Sequence, residues 1–114
     1  MLSVKIERLE HKFAIEISTI IKEEIKDERI NFVTITDVDI TNDLSFAKVY
    51  ITVLDDSKKE ETLKVLNHAS KFIEKEMCKR VEVRKMPELK FVYDESIEYG
   101  NNIEKIIERI KKDE

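Results

Sequence analysis

The chain has 114 residues, of which 41% are hydrophobic and 40% charged, and its formal net charge at pH 7 is −4. This length suits a single domain spanning residues 1–114, and the absence of a long apolar run argues against membrane insertion or secretion, so we expect a cytoplasmic protein. One glycine excludes a Gly-rich phosphate loop, and one cysteine excludes an intrachain disulfide. Because the only other candidate zinc ligands of the soft or imidazole type are two histidines, we expect no zinc site. We also expect no other cofactor and no small-molecule substrate.

The first predicted element is a long amphipathic helix from Ser3 to about Asp27. Apolar residues recur at three- and four-residue spacing along it and form one stripe, while charged residues fill the opposite face. The stripe consists of Ile6, Leu9, Phe13, Ile17, Ile20 and Ile21. Such a helix is expected to cover one face of a sheet.

Two strands follow, from Asn31 to Thr41 and from Leu44 to Leu54, and they are predicted to form an antiparallel hairpin. Both are rich in Val, Ile, Thr, Phe and Tyr, and Asn42-Asp43 between them is typical of a turn. In the first strand the apolar parity changes after Ile35, because Val38 has the opposite parity. This change predicts a β-bulge near Asp37.

Aspartates in the hairpin leave two interpretations open. Asp37, Asp39 and Asp43 are candidate ligands for a cation, or they only keep the hairpin solvated. We favour solvation and expect no metal, because the turn separates the three residues.

The next predicted helix begins at the capping box Ser57-x-x-Glu60 and continues to about Arg80. A third strand follows Pro87, which cannot donate to a ladder and therefore suits a strand start or an edge. Leu89, Phe91 and Tyr93 alternate with more polar residues, as in a strand with one buried face. Asn101-x-x-Glu104 is expected to cap a last helix.

The order helix, strand, strand, helix, strand, helix predicts an α+β fold with a three-stranded sheet covered on one face. A K-homology fold of the second type has this order of elements. A ferredoxin-like fold requires a fourth strand, and no fourth strand is visible in the sequence.

Positive charge is concentrated in residues 58–90, which carry 10 basic and 6 acidic side chains, whereas the segments on either side are net acidic. Within the second helix, basic residues recur at intervals of four, three, four and four and predict one basic ridge on an unbroken helix. The ridge consists of Lys64, His68, Lys71, Lys75 and Lys79. A ridge of this kind suits a polyanion such as RNA. The alternative is a solvated helix face, neutralised by Glu60, Glu74 and Glu76.

Two motifs carry a resemblance to a known family. One is PELKFVYDES from Pro87 to Ser96, followed by Gly100-Asn101-Asn102-Ile103, and the other is VDITNDLSFAKVY from Val38 to Tyr50. The chain resembles the ribosome-binding factor A family in both motifs, and the resemblance extends over nearly its whole length. The fold of that family is also K-homology-like.

The resemblance implies a function in ribosome assembly. Proteins of this family bind the immature small (30S) ribosomal subunit and its 16S rRNA near the 5′-terminal helix. They assist late rRNA processing, matter most in the cold, and leave before translation. By resemblance we expect a non-enzymatic, monomeric factor with no catalytic residue and no membrane partner. From the charge pattern of the second helix and of the segment that enters the third strand, we expect phosphate contacts from Lys71, Lys75, Lys79, Arg80, Arg84 and Lys85.

Two points stay open from the sequence. The crossing helix of the family is usually bent at Ala-x-Gly, but this chain has Ala69-Ser70-Lys71 and lacks the glycine. A bend is therefore in question, although a Ser70 hydroxyl bonded to a preceding carbonyl is one way to keep it. The alternative function is a non-catalytic protein-interaction or dimerisation module that pairs through an open strand edge.

Overall fold

The computed structural model describes residues 2–27, 30 and 32–96. Within these residues the elements in chain order are α1 (Leu2–Glu24), β1 (Val33–Ile40), β2 (Phe46–Val53), a short 3-10 helix (Asp56–Lys58), α2 (Lys59–His68), α3 (Ser70–Arg80) and β3 (Glu88–Tyr93). The predicted last helix and the Gly100–Ile103 motif lie outside the described residues.

The strands form one sheet in the order β1-β2-β3, with β2 antiparallel to β1 and parallel to β3. A parallel neighbour requires a crossover connection, and α2 and α3 supply it between β2 and β3. The α+β architecture with a three-stranded sheet is confirmed.

Helices α1, α2 and α3 pack on one face of the sheet and close the core there. Phe13, Ile17 and Ile20 of α1 and Ile73 and Met77 of α3 have no solvent exposure. Burying a side chain of this size contributes about 1.5–3 kcal/mol each. The strand residues that join them in the core are Val38, Ile40, Ala47, Val49, Ile51, Leu89 and Phe91.

The predicted bulge in β1 is confirmed. Ile35 is opposite Ile51 and Val38 is opposite Val49, and the register shifts between Ile35 and Asp37. One extra residue, Thr36, therefore restores the apolar parity, so that both halves of β1 direct apolar side chains towards the helices.

A side-chain network closes the hairpin loop. The Thr41 hydroxyl donates to Asp43 Oδ1 at 2.8 Å, and the Ser45 N–H donates to the same oxygen at 3.0 Å. Leu44 has φ 61°, in the left-handed region, and its N–H donates to the Thr41 carbonyl at 2.9 Å. The hydrogen bond from Thr41, followed by those from Ser45, lowers the pKa of Asp43 below its ordinary value of 3.8. Asp43 therefore stabilises the hairpin turn by accepting these hydrogen bonds.

Side chains from the helices satisfy the outer edge of β3. The Phe91 N–H donates to Asn67 Oδ1 at 2.9 Å, and Asn67 Nδ2 donates to the Phe91 carbonyl at 3.0 Å. The Leu89 N–H donates to Glu74 Oε2 at 3.2 Å. Asn67 thus bonds to the edge as a neighbouring strand would, and these groups are not open to another chain.

The edge of β1 is covered in a similar way. The Ile40 N–H donates to Glu10 Oε2 of α1 at 2.8 Å, and the Val38 N–H donates to the Asp37 carboxylate at 2.9 Å. Both outer strands therefore have some of their edge amides bonded to side chains of the same chain.

The predicted capping box at Ser57 is wrong. The Ser57 N–H and hydroxyl both donate to Asp55 Oδ1, at 3.0 and 2.7 Å, so that Asp55 caps the 3-10 helix that precedes α2. The α2 helix itself begins at Lys59 without a side-chain cap. A carboxylate is a stronger acceptor than a hydroxyl, and the Asp55 carboxylate lies only two residues earlier in the chain. These two bonds lower the pKa of Asp55.

Candidate nucleic-acid interface

The crossing helix is interrupted at Ala69, which separates α2 from α3. Ala69 has φ −89° and ψ 2°, and its N–H is shared between the Val65 and Leu66 carbonyls at 3.0 and 3.1 Å. The Ala69 carbonyl then accepts from the Ile73 N–H at 2.9 Å, so the second helix resumes at once. These dihedral angles are open to any residue with a Cβ, and the interruption therefore needs no glycine.

The predicted ridge is consequently divided into two parts. Lys64 and His68 lie on α2, and the three lysines at four-residue spacing, Lys71, Lys75 and Lys79, lie on α3. All five side chains are exposed. Within α3 the spacing places the three lysines on one face, as predicted for an unbroken helix.

Two of the α3 lysines have carboxylate neighbours. Lys71 Nζ lies 3.6 Å from Glu74 Oε1, and Lys79 Nζ lies 3.4 Å from Glu76 Oε1, while the lysine side chains remain 78% and 64% exposed. Exposed pairs of this kind contribute about 0–1 kcal/mol, so a phosphate group competes readily for either ammonium group. Among the described residues, no carboxylate lies within ion-pair distance of Lys75.

Arg80 is in a different environment from the lysines. Its guanidinium lies 3.6 Å from Glu16 and 4.0 Å from Glu23 of α1, and its side chain is only 27% exposed. These contacts join the C-terminal end of α3 to α1. Arg80 therefore has a structural partner that the helix periodicity did not predict.

The last two predicted residues, Arg84 and Lys85, are exposed in the connection between α3 and β3. Lys85 lies close enough to the hairpin loop to contribute, after the hydrogen bonds, to the lowered pKa of Asp43. The structure thus has three lysines on one face of α3 and two further cations in the connection between α3 and β3. We call Lys71, Lys75, Lys79, Arg84 and Lys85 the basic surface.

Other kinds of site find little support in the described part of the chain. No group of three or more His, Cys, Asp or Glu side chains there is placed to hold a metal ion. Cys78 is an exposed free thiol on α3. None of the described helices has the length and apolarity needed to cross a membrane.

Two features of the structure were not predicted from the sequence. Asn67 bonds to the edge of β3, and a polar residue on a helix gives no local signal of a strand partner. Phe32, which is 75% exposed, stands beside a pocket at the C-terminal end of α1. Its only sequence signal is an aromatic residue just ahead of a strand.

The fold and the basic surface define a small α+β domain of the K-homology-like class, with an exposed cationic helix face. Residues 5–107 match the model of the ribosome-binding factor A family. The chain therefore belongs to the ribosome-binding factor A family.

Individual relatives agree with this assignment. Ribosome-binding factor A of Staphylococcus epidermidis is 47% identical over 115 residues, covering 100% of this chain and 99% of the relative. The crystal structure of ribosome-binding factor A from Thermus thermophilus has a TM-score of 0.71 at 24% identity, over 76% of this chain and 93% of that one. A Thermus thermophilus ribosome-binding factor A homology model, fitted into the cryo-EM map of a 30S complex, has a TM-score of 0.58 at 25% identity, over 76% and 88%.

Proposed function

We propose that this protein binds the immature small ribosomal subunit and its 16S rRNA near the 5′-terminal helix, and assists the late processing of that rRNA. The observation that carries the proposal is family membership over residues 5–107. The Thermus thermophilus relative that was fitted into the map of a 30S complex supports the choice of partner.

The basic surface is proposed to supply the phosphate contacts. Its cations are exposed, and among the residues that the structure describes only Lys71 and Lys79 of this surface form ion pairs, both of them weak surface pairs. Arg80 was predicted to contact RNA as well, but its guanidinium would have to leave Glu16 and Glu23 to do so. We therefore expect Arg80 to contribute less than the five residues of the basic surface.

Phosphate contacts of this kind predict a steep dependence on salt. Five contacts give a slope of log K against log salt of about −3.5 to −4.5, so affinity falls about 130- to 500-fold between 50 and 200 mM salt. Such contacts read the shape of folded RNA more than its base sequence. The single glycine, Gly100, leaves no Gly-x-x-Gly loop for clamping single strands.

The proposal includes further expectations that follow from the family. The protein acts without catalysis, as a monomeric single domain in the cytoplasm. It matters most in the cold and leaves the subunit before translation begins.

The alternative is a protein-interaction or dimerisation module that pairs through a strand edge. Asn67 and Glu74 bond to the edge of β3, and Glu10 bonds to the edge of β1, so pairing through either edge must first displace these bonds. This observation disfavours the alternative.

The test is co-sedimentation of purified protein with small subunits in a gradient. The triple charge reversal Lys75→Glu, Lys79→Glu and Arg84→Glu is expected to abolish co-sedimentation without unfolding the domain, because three phosphate contacts become repulsions. A matched control reverses two lysines and one arginine on exposed positions of α1, namely Lys5, Arg8 and Lys12. If the control loses binding as fully as the test variant, net charge and not this surface accounts for binding.

A further inference from the structure

Two neighbouring pockets lie at the C-terminal end of α1, and their lining residues are different from those of the basic surface. The first, about 490 Å³, lies beside the helix interruption and has Val65 and Ala69 in its wall. The second, about 470 Å³, lies between α1 and the start of β1 and has Ile21 and Ile30 in its wall. Ile25 lines both pockets, so they form adjacent parts of one surface. Both volumes fall in the range of small-molecule sites.

Phe32 lines the second pocket and is 75% exposed. It has φ 54°, a left-handed conformation that is unusual for a bulky residue. Its aromatic side chain thus remains in solvent, although the apolar pocket beside it offers a place to bury it. An exposed aromatic ring beside apolar walls is a stacking platform for an unpaired nucleobase.

Basic side chains accompany the apolar walls of both pockets. Lys22 lines the second pocket, and Lys64 and His68 line the first. Asp27 also lines the first pocket, and its carboxylate repels phosphate. We therefore expect a phosphate group to lie on the α2 side of that pocket, near Lys64 and His68, with a base against the apolar wall.

We propose that these two pockets bind adjacent unstacked nucleotides of a single-stranded RNA segment, with one base stacked on Phe32. The inference rests on the proposed function and adds a second contact region to it. The basic surface holds the phosphates of folded RNA, and the pockets at the end of α1 hold a short unpaired stretch.

The experiment measures fluorescence anisotropy with a labelled single-stranded oligoadenylate of about six nucleotides, within the site size of single-strand binders. Phe32→Ala is expected to weaken binding about 5- to 150-fold, the range given by the loss of one stacked base. The salt dependence should not change, because no charge is removed. Lys22→Glu, at an exposed position on α1, is expected to weaken the same complex.

The matched control is Phe46→Ala, which removes another exposed phenylalanine, 55% accessible. Phe46 begins β2, whereas Phe32 precedes β1 near the residue pair Val33 and Val53 at the other end of the two strands. It is expected to leave oligoadenylate binding unchanged, and Lys12→Glu is the corresponding control for Lys22→Glu. Thermal unfolding of each variant shows whether it is folded.

The outcomes separate this inference from the proposed function. Equal affinities of Phe32→Ala and Phe46→Ala for the oligonucleotide, with small-subunit binding retained, would overturn the nucleotide pockets alone. If Phe32→Ala weakened subunit binding but not oligonucleotide binding, Phe32 would contact another part of the subunit, and the assignment of the pockets to single-stranded RNA would be wrong. Failure of the unmodified protein to bind small subunits would instead overturn the proposed function.

Discussion

Replacing Asn67 with Ala removes both hydrogen bonds between α2 and the edge of β3. The Phe91 N–H and C=O lose partners at 2.9 and 3.0 Å. Two bonds of about 0.5–1.5 kcal/mol each amount to about 1–3 kcal/mol. Alanine is a better helix former than asparagine by about 0.6 kcal/mol, which offsets part of the loss. The expected net destabilisation is about 0.5–2.5 kcal/mol.

Urea unfolding followed by far-UV circular dichroism measures this change. Lys64→Ala is the matched control, because Lys64 is exposed on the same helix and its side chain forms no hydrogen bond with another described residue. The control should change stability by less than about 0.5 kcal/mol. Asn67→Ala should also aggregate more readily than the unmodified protein, since the edge of β3 is then uncovered. If Asn67→Ala were as stable as the control, the account of the strand edge would be wrong.

Three further predictions concern local interactions. Hydrogen bonds keep the pKa of Asp43 below its ordinary value, so their contribution to stability is present above that value and is lost as pH falls through the lowered pKa. The melting temperature should therefore fall more steeply from about pH 5 to about pH 2 in the unmodified protein than in Asp43→Asn, which cannot titrate; equal slopes would refute this role. A double-mutant cycle of Arg80→Met and Glu16→Gln should give a coupling of about 0.5–1 kcal/mol in urea unfolding, and a coupling near zero would show that the pair does not join α3 to α1. Lys71→Gly, which introduces glycine where the family usually has it, should destabilise the domain by about 0.5–1 kcal/mol relative to Lys71→Ala, and a gain in stability would mean that the bend requires glycine after all.

Local patterns predicted the strands and most of the helices because those patterns follow burial. The parity change between Ile35 and Val38 predicted the bulge, since every second residue of a strand must face the same side. The apolar stripe of the first helix predicted α1 in the same way, with Phe13 and Ile17 fully buried. In both cases the pattern of apolar side chains identifies the face of the strand or helix that packs against the core.

Other features could not be predicted from local patterns, because they depend on competing hydrogen-bond acceptors or on partner residues far away in the chain. The residues around Ala69 are all compatible with a helix, so no local signal separates a straight helix from one interrupted at that point. Ser57 matched a capping motif, but its N–H and hydroxyl both donate to the carboxylate of Asp55, two residues earlier. Arg80 fitted the basic pattern by sequence position, whereas its carboxylate partners come from α1, far away in the chain.

The most direct test of the proposed function is the affinity of labelled protein for purified immature small subunits, measured across a range of salt concentrations. We predict binding that weakens about 130- to 500-fold between 50 and 200 mM salt and that disappears in the variant with Lys75, Lys79 and Arg84 changed to Glu. Affinity that does not respond to salt, or that survives the triple reversal in a folded variant, would contradict the assignment of this surface to ribosomal RNA.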